Sequence, residues 1–278
     1  MQSPEVRFHH LRPRQFVERR EQCAAVYIPL GCMEWHGEHN PVGLDGLVAE
    51  ELSIRCAQHG GGLVFPTLYY AENRHTACAD ARENRRVQIA EHYRVPPDVF
   101  TSERYPHDEM QQAENTHRLL LHILAQAETM GFKVGVLVVG HGPWADWGAA
   151  AAHTFNKRSH TSRNGMLAYV AVPWLLLREF DPQAGDHAGF WETSLMIAVR
   201  PKTVDLDLLG PKVEGQTFLG VSTRKPVQDA NARFGSESLD VAAERINKEV
   251  AHRLSHRHLY MPHGTSHQQG LWKQDETQ

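Results

Sequence analysis

The sequence predicts an α/β fold: a three-layer α/β/α sandwich with a largely parallel central sheet. Three observations carry this. Short apolar runs alternate with longer amphipathic stretches along the chain. The runs are apolar on consecutive positions, as strands covered on both faces are. Residues that carry chemistry follow directly after several of them, and α/β sheets bind ligands beyond the carboxyl ends of their strands.

Val26–Gly31 reads as a buried strand, and Leu63–Tyr70 as a second, with Pro66 placing it near an edge or a bulge. Val134–Val139 is β-branched, apolar and runs into Gly140. Ala168–Leu177 reads as a fourth strand, ending near Pro173. Between them, Asp45–His59 has helical spacing and stops at Gly60–Gly62. Pro106–Met130 repeats its apolar positions at helical intervals and stops at Gly131. Ala145–Lys157, Trp191–Val199 and Ser236–Leu254 also read as helices. With no internal repeat and no long linker, 1–278 reads as a single domain. Residues 71–105, polar and Arg-rich, read as a lid or a subunit contact. The chain from Pro262 reads as an irregular tail.

Composition narrows the function. With 29 Lys+Arg against 33 Asp+Glu, the net charge of −4 argues against nucleic acid or an anionic membrane as the main partner. The longest apolar stretch, Ala168–Leu177, falls far short of the roughly 20 residues that span a bilayer. The N-terminus is polar and basic, so a cytoplasmic protein is expected. Cys23, Cys32, Cys56 and Cys78 form no C-x-x-C pair and are expected as reduced thiols. Histidine, with 19 copies, is the unusual count.

Three clusters concentrate the chemistry. The first, Glu34-Trp-His36-Gly-Glu-His39-Asn-Pro-Val-Gly-Leu-Asp45, leaves the first strand. Glu34 and His36, two apart, point the same way in an extended segment. Asp45 opens a helix, either as a cap or as a ligand. The second is Gly140-His141-Gly142, after the third strand, and reads as a site or a plain turn. The third, Asp186-His187-Ala-Gly-Phe-Trp-Glu192-Thr-Ser194, fits an acid/base beside a ligand, or a carboxylate favoured by the helix dipole at Glu192. Glu34, His36, Asp45, His141 and Glu192 form a mixed N/O set suited to zinc, manganese or iron. Three carboxylates suit two divalent ions about 3.5–4 Å apart, with Asp45 as the bridge. Trp144, Trp174 and Trp191 read as pocket walls or as core. The C-terminal His252, His256, His258, His263 and His267 read as a second metal site or a solvated helix end.

The three clusters resemble the creatininase family, whose pattern is E-x-H-G-x-H-x-P-x-x-x-D, then a glycine-flanked His after a strand, then H-[AG]-G-x-x-E-T-S. The resemblance spans roughly residues 20–255. It implies a two-metal hydrolase acting on a small cyclic or linear amide, and homo-oligomers, often hexamers. It implies Glu34, His36, Asp45, His141 and Glu192 as metal ligands, and His187, with Glu192, as catalytic. It leaves Trp35, His39, Trp144, Trp174 and Trp191 as candidates for substrate binding. Three departures stand out: Pro143 where creatininase has a ligating Glu, Gln183 where it has a Trp, and Trp35 where most members have Gln. Glu-Trp-His-Gly also resembles members that open 3-dehydro-scyllo-inosose by C–C hydrolysis. In either chemistry an activated water attacks a carbonyl and His187 protonates the leaving atom. A metal-binding accessory protein and a peptidase of a biosynthetic pathway are the alternatives.

Overall fold

The computed structural model describes residues 5–70, 83–100, 108–159 and 165–260. The expected tail from 262 lies outside these residues, as do 71–82 and 101–105 of the expected lid. Within the described residues four strands form one sheet: β1 (Ala25–Leu30), β2 (Leu63–Val64), β3 (Val134–Val139) and β4 (Leu167–Ala171). The helices are α1 (Pro13–Gln22), α2 (Leu44–Gly60), α3 (Glu83–Tyr93), α4 (Glu109–Thr129), α5 (Trp144–Ser159), α6 (Pro173–Leu176), α7 (Phe190–Val199) and α8 (Ala232–Ser255).

The strand order is β2-β1-β3-β4 and every pairing is parallel. The chain therefore leaves β1 toward one side and resumes in β3 on the other. That reversal opens a crevice at the carboxyl ends of β1 and β3. Both faces of these strands are apolar because both are covered. Ala25 and Tyr27, with Val134, Val136 and Val138, enter a core shared with α2, α7 and α8. Val26, Ile28 and Leu30, with Leu137 and Val139, enter a second core shared with α4 and α5. This period of two, apolar on both phases, produces the three layers.

Two strands are shorter than their sequences predict. After Val64, Pro66 has no N–H to give, and the ladder breaks. The chain rejoins the sheet at Leu68, whose N–H donates to Pro29 O at 3.0 Å and whose carbonyl accepts from Gly31 N at 2.8 Å. β4 ends at Ala171 because Pro173 starts α6 at its first position. Its backbone is partly satisfied from a helix: Asn156 of α5 accepts from Ala168 N at 2.7 Å and donates to Ala168 O at 3.0 Å. Tyr27, fully buried, donates its hydroxyl to Asn247 of α8 at 2.9 Å.

The first turn of α2 enters the crevice only because two neighbouring residues lack side chains. A Cβ at Gly31 would overlap the Gly46 backbone, and a Cβ at Gly140 would overlap the Asp45 carbonyl oxygen. The contacts are backbone, so no rotamer change relieves them. Gly140→Ala is expected to destabilise the fold by about 1–3 kcal/mol or more. Thermal unfolding of the variant checks this.

Candidate metal centre

The crevice gathers five buried polar side chains from separate parts of the chain. Glu34 and His36 stand on the extended segment after β1, where Glu34 N donates to Val42 O at 3.0 Å and holds the loop. Asp45 lies in the first turn of α2. His141 follows β3, and Glu192 sits in the first turn of α7. None exceeds 8% exposure.

Asp45 is shared. Its Oδ1 lies 3.0 Å from His36 Nε2, and its Oδ2 lies 3.0 Å from His141 Nδ1. The sequence allowed Asp45 to act as a cap, but Gly43 occupies the N-cap of α2 and makes no side-chain cap bond. Glu34 spans the same pair more loosely: one oxygen is 3.8 Å from His36 Nε2 and the other 3.5 Å from His141 Nδ1. Glu192 Oε2 is 3.7 Å from His36 Nε2 and accepts from Ala188 N at 2.6 Å.

Backbone carbonyls fix the rings. His36 Nδ1 donates to Glu34 O at 3.2 Å, which turns Nε2 toward three carboxylates. His187 Nε2 donates to Trp35 O at 3.0 Å, which turns Nδ1 toward Glu34 Oε1 at 3.2 Å. Lone pairs thus face carboxylate oxygens, and only a proton or a metal cation between them makes the contacts attractive. Among the described residues, three groups of donor atoms lie within 4.8 Å of one another: Cys32, Glu34 and His141; Glu34, His36 and His187; His36, Asp45 and Glu192. Neighbouring groups that share donors are a fit for more than one ion.

Burial and the neighbouring charges pull the groups of the centre in different directions. Burial opposes a proton on His36, but Asp45, Glu34 and Glu192 outweigh it and raise the ring to about 10. Burial also opposes the Asp45 anion, yet the two imidazoles hold its pKa below the usual range. Burial, with Asp45 and Asp186 nearby, pushes Glu192 well above its ordinary value. His187 is lowered by burial and by His36 beside it.

The third cluster is built on strain and pinned backbone. Ala188 has φ +52°, a left-handed conformation for a residue with a side chain. His187 pairs with Ser222 through two backbone hydrogen bonds of 2.9 and 2.8 Å. Asp186 does not meet His187. Its carboxylate accepts from Trp191 N and Glu192 N at 2.9 and 3.1 Å, capping α7.

The expected substrate residues divide. Trp35 and His39 border a cleft of about 350 Å³, with Glu38, His92 and Phe218. Trp35 is only 6% exposed: its indole donates to Leu219 O at 2.9 Å, and Tyr93 of α3 packs on it edge-on. His39 is buried, with Nε2 within 3.2 Å of Thr193 Oγ1 and 3.1 Å of Ala188 O, so it ties the first cluster to the third. Trp174 and Trp191 border a second, apolar cleft behind Asp45 and Glu192. Trp144 lines neither. It is 1% exposed, donates to Gly31 O at 2.8 Å and packs in the core. The C-terminal histidines split as well. His252 stacks on His256 and meets the Tyr260 hydroxyl at 2.7 Å, and His263 and His267 lie outside the described residues. Cys32, by contrast, joins the centre without having been assigned to it. The signal was present, since it precedes Glu34 by two in the same extended segment.

A family model described as creatinine amidohydrolase (Creatininase) matches residues 9–257. No curated protein matches with significance. Among solved structures, creatinine amidohydrolase (creatininase) is 17% identical, with 91% of this chain and 98% of that chain covered at a TM-score of 0.63. A manganese creatininase is 18% identical over 91% and 99% of the two chains, at 0.63. A mutant creatininase of Zn–Zn type gives the same identity, coverage and score. Among the described residues, no helix is long and apolar enough to cross a membrane.

Two outcomes follow from the shared carboxylate and the raised histidine. Asp45→Asn removes the charge that both imidazoles face, and bound divalent metal is expected to fall to near zero in elemental analysis. His36 carries a proton at neutral pH in the metal-free protein, so metal must displace it. Zinc affinity is therefore expected to fall as pH is lowered. Calorimetry in buffers of different ionisation enthalpy is expected to record proton release.

Proposed function

Because the chain belongs to the creatininase family, we propose that its carboxylate–imidazole crevice is the two-metal centre of a hydrolase that opens a small cyclic substrate. The observation that carries this is Asp45, with each oxygen 3.0 Å from a different imidazole. Glu34, His36, Asp45, His141 and Glu192 hold zinc, manganese or iron. Divalent ions held there supply an activated water near neutral pH and polarise a carbonyl.

The chain's own groups handle the proton. His187, with a side chain 29% exposed, is the most open of the histidines at the centre and exchanges with solvent. Its Nε2 stays bound to Trp35 O and burial keeps the ring neutral, so Nδ1 is open to accept a proton on the Glu34 side and pass it on. Glu192, whose carboxylate accepts from Ala188 N at 2.6 Å, is held beside the same turn. Trp35 and His39 position substrate from the first cleft, and Trp174 and Trp191 shape the rear wall.

For substrate we favour an oxidised inositol, 3-dehydro-scyllo-inosose, cleaved at a C–C bond as a step of inositol breakdown. The polar rim of His39, Glu38 and His92 supports a hydroxylated ring. Cleavage of an amide C–N bond is supported as well, by the names of the structural neighbours. A peptidase needs an open groove, whereas α3 packs Ile89, Ala90 and Tyr93 over Trp35 as part of a lid. The accessory role predicts bound metal without turnover. Homo-oligomers, with a hexamer as the family resemblance implies, belong to this reading. Among the described residues Cys23, Cys32 and Cys56 form no disulfide, which suits a reducing compartment such as the cytoplasm.

The test is metal content and turnover on one sample, assayed with a cyclic amide and with the oxidised inositol. Near two ions per chain with ring opening of either substrate supports the reading. Inactivity after zinc and manganese are added sinks it in favour of the accessory role. His187→Ala is expected to lower kcat by about 10²–10⁴-fold with metal content intact. Metal lost along with activity would make His187 a ligand instead.

A further inference from the structure

The two sides of the centre are unequally furnished. Around His36 Nε2 stand Asp45 Oδ1, Glu34 Oε1 and Glu192 Oε2. Around His141 Nδ1 the carboxylate oxygens are the second oxygens of Asp45 and Glu34, the two carboxylates already shared. Pro143, two residues after His141, brings no donor. An ion on this side has three protein ligands, and a fourth still leaves a place for water when the site expands to five-coordinate.

Cys32 stands at that corner. It is 3% exposed and leaves β1 on the same side of the chain as Glu34 and His36. Its Sγ, a Glu34 oxygen and a His141 nitrogen lie within 4.8 Å of one another. His141, itself 7% exposed, leaves Nε2 without a hydrogen-bond partner. A thiol in a plain apolar core has no such company.

We propose that Cys32 is the fourth protein ligand on the His141 side, and that it sets which metal this position takes. On binding, the thiol proton leaves to solvent and the thiolate bonds the ion, with no change of oxidation state. Thiolate is a soft donor, favoured by zinc, whereas manganese prefers carboxylate, carbonyl and water. The position is therefore selective for zinc over manganese. This rests on the two-metal reading above and goes beyond it by naming a ligand and a preference.

The test loads the full-length metal-free protein with cobalt(II) alone, and separately with zinc. Wild type is expected to show a near-ultraviolet sulfur-to-cobalt charge-transfer band. X-ray absorption of the zinc form should show sulfur scattering at about 2.3 Å. Cys32→Ser should lose the band, and its preference for zinc over manganese should fall by about tenfold or more. Cys23→Ser, which removes a thiol outside the cluster, should keep both. If cobalt binds without the band and zinc shows only nitrogen and oxygen neighbours, Cys32 is not a ligand, and the two-metal centre stands without it. If neither ion binds wild type, the centre itself is wrong, and this inference falls with it. The wild-type spectra decide the matter even if the serine variant does not fold.

Discussion

The structure turns on a single carboxylate held between two imidazoles. Asp45 sits at the start of α2, yet each of its oxygens faces a histidine from a different strand end. That requires helix backbone to approach strand backbone more closely than side chains permit. Gly31 and Gly140 supply the space on either side. Asp45 thereby joins the end of β1 to the end of β3, at the place where the sheet reverses its strand order.

Burying so many ionisable groups together is unfavourable without compensation. Glu34, His36, Asp45, His141 and Glu192 are nearly sealed from water, and carboxylates outnumber imidazoles. Without metal, the three carboxylates favour a proton on His36, and burial favours one on Glu192. Metal supplies positive charge without a proton and leaves the carboxylates ionised. Metal bound at the proposed ligands would therefore release protons.

Much of the remaining structure serves to aim these groups. The carbonyls of Glu34 and Trp35 orient His36 and His187. Asp186 caps α7 and so fixes the turn on which Glu192 stands. His39 and Asn40 reach Thr193 and tie the first cluster to the third. Trp35 has two roles: its backbone holds His187, while its indole meets α3 above. Trp35 thus touches both α3 and the proposed proton carrier.

The sequence by itself determined the layers and brought forward the five side chains that the crevice gathers. Continuous apolar strands have one stable arrangement, covered on both faces, and Val134–Val139 shows it plainly. Spacing of two in an extended segment placed Glu34 and His36 together, and motif order supplied Asp45, His141 and Glu192. Tertiary structure decided what local spacing does not encode. Pro66 ended β2 early because the break depends on which neighbour a strand pairs with. Asp45 became a shared carboxylate instead of a cap because His141, 96 residues away, arrives opposite it. Asp186 turned from His187 to the α7 backbone, and Trp144 sank into the core, since burial is a property of the whole packing. Cys32 joined the centre for the same reason. Its i, i+2 phase with Glu34 was legible, but the proximity of His141 exists only once β1 and β3 lie side by side.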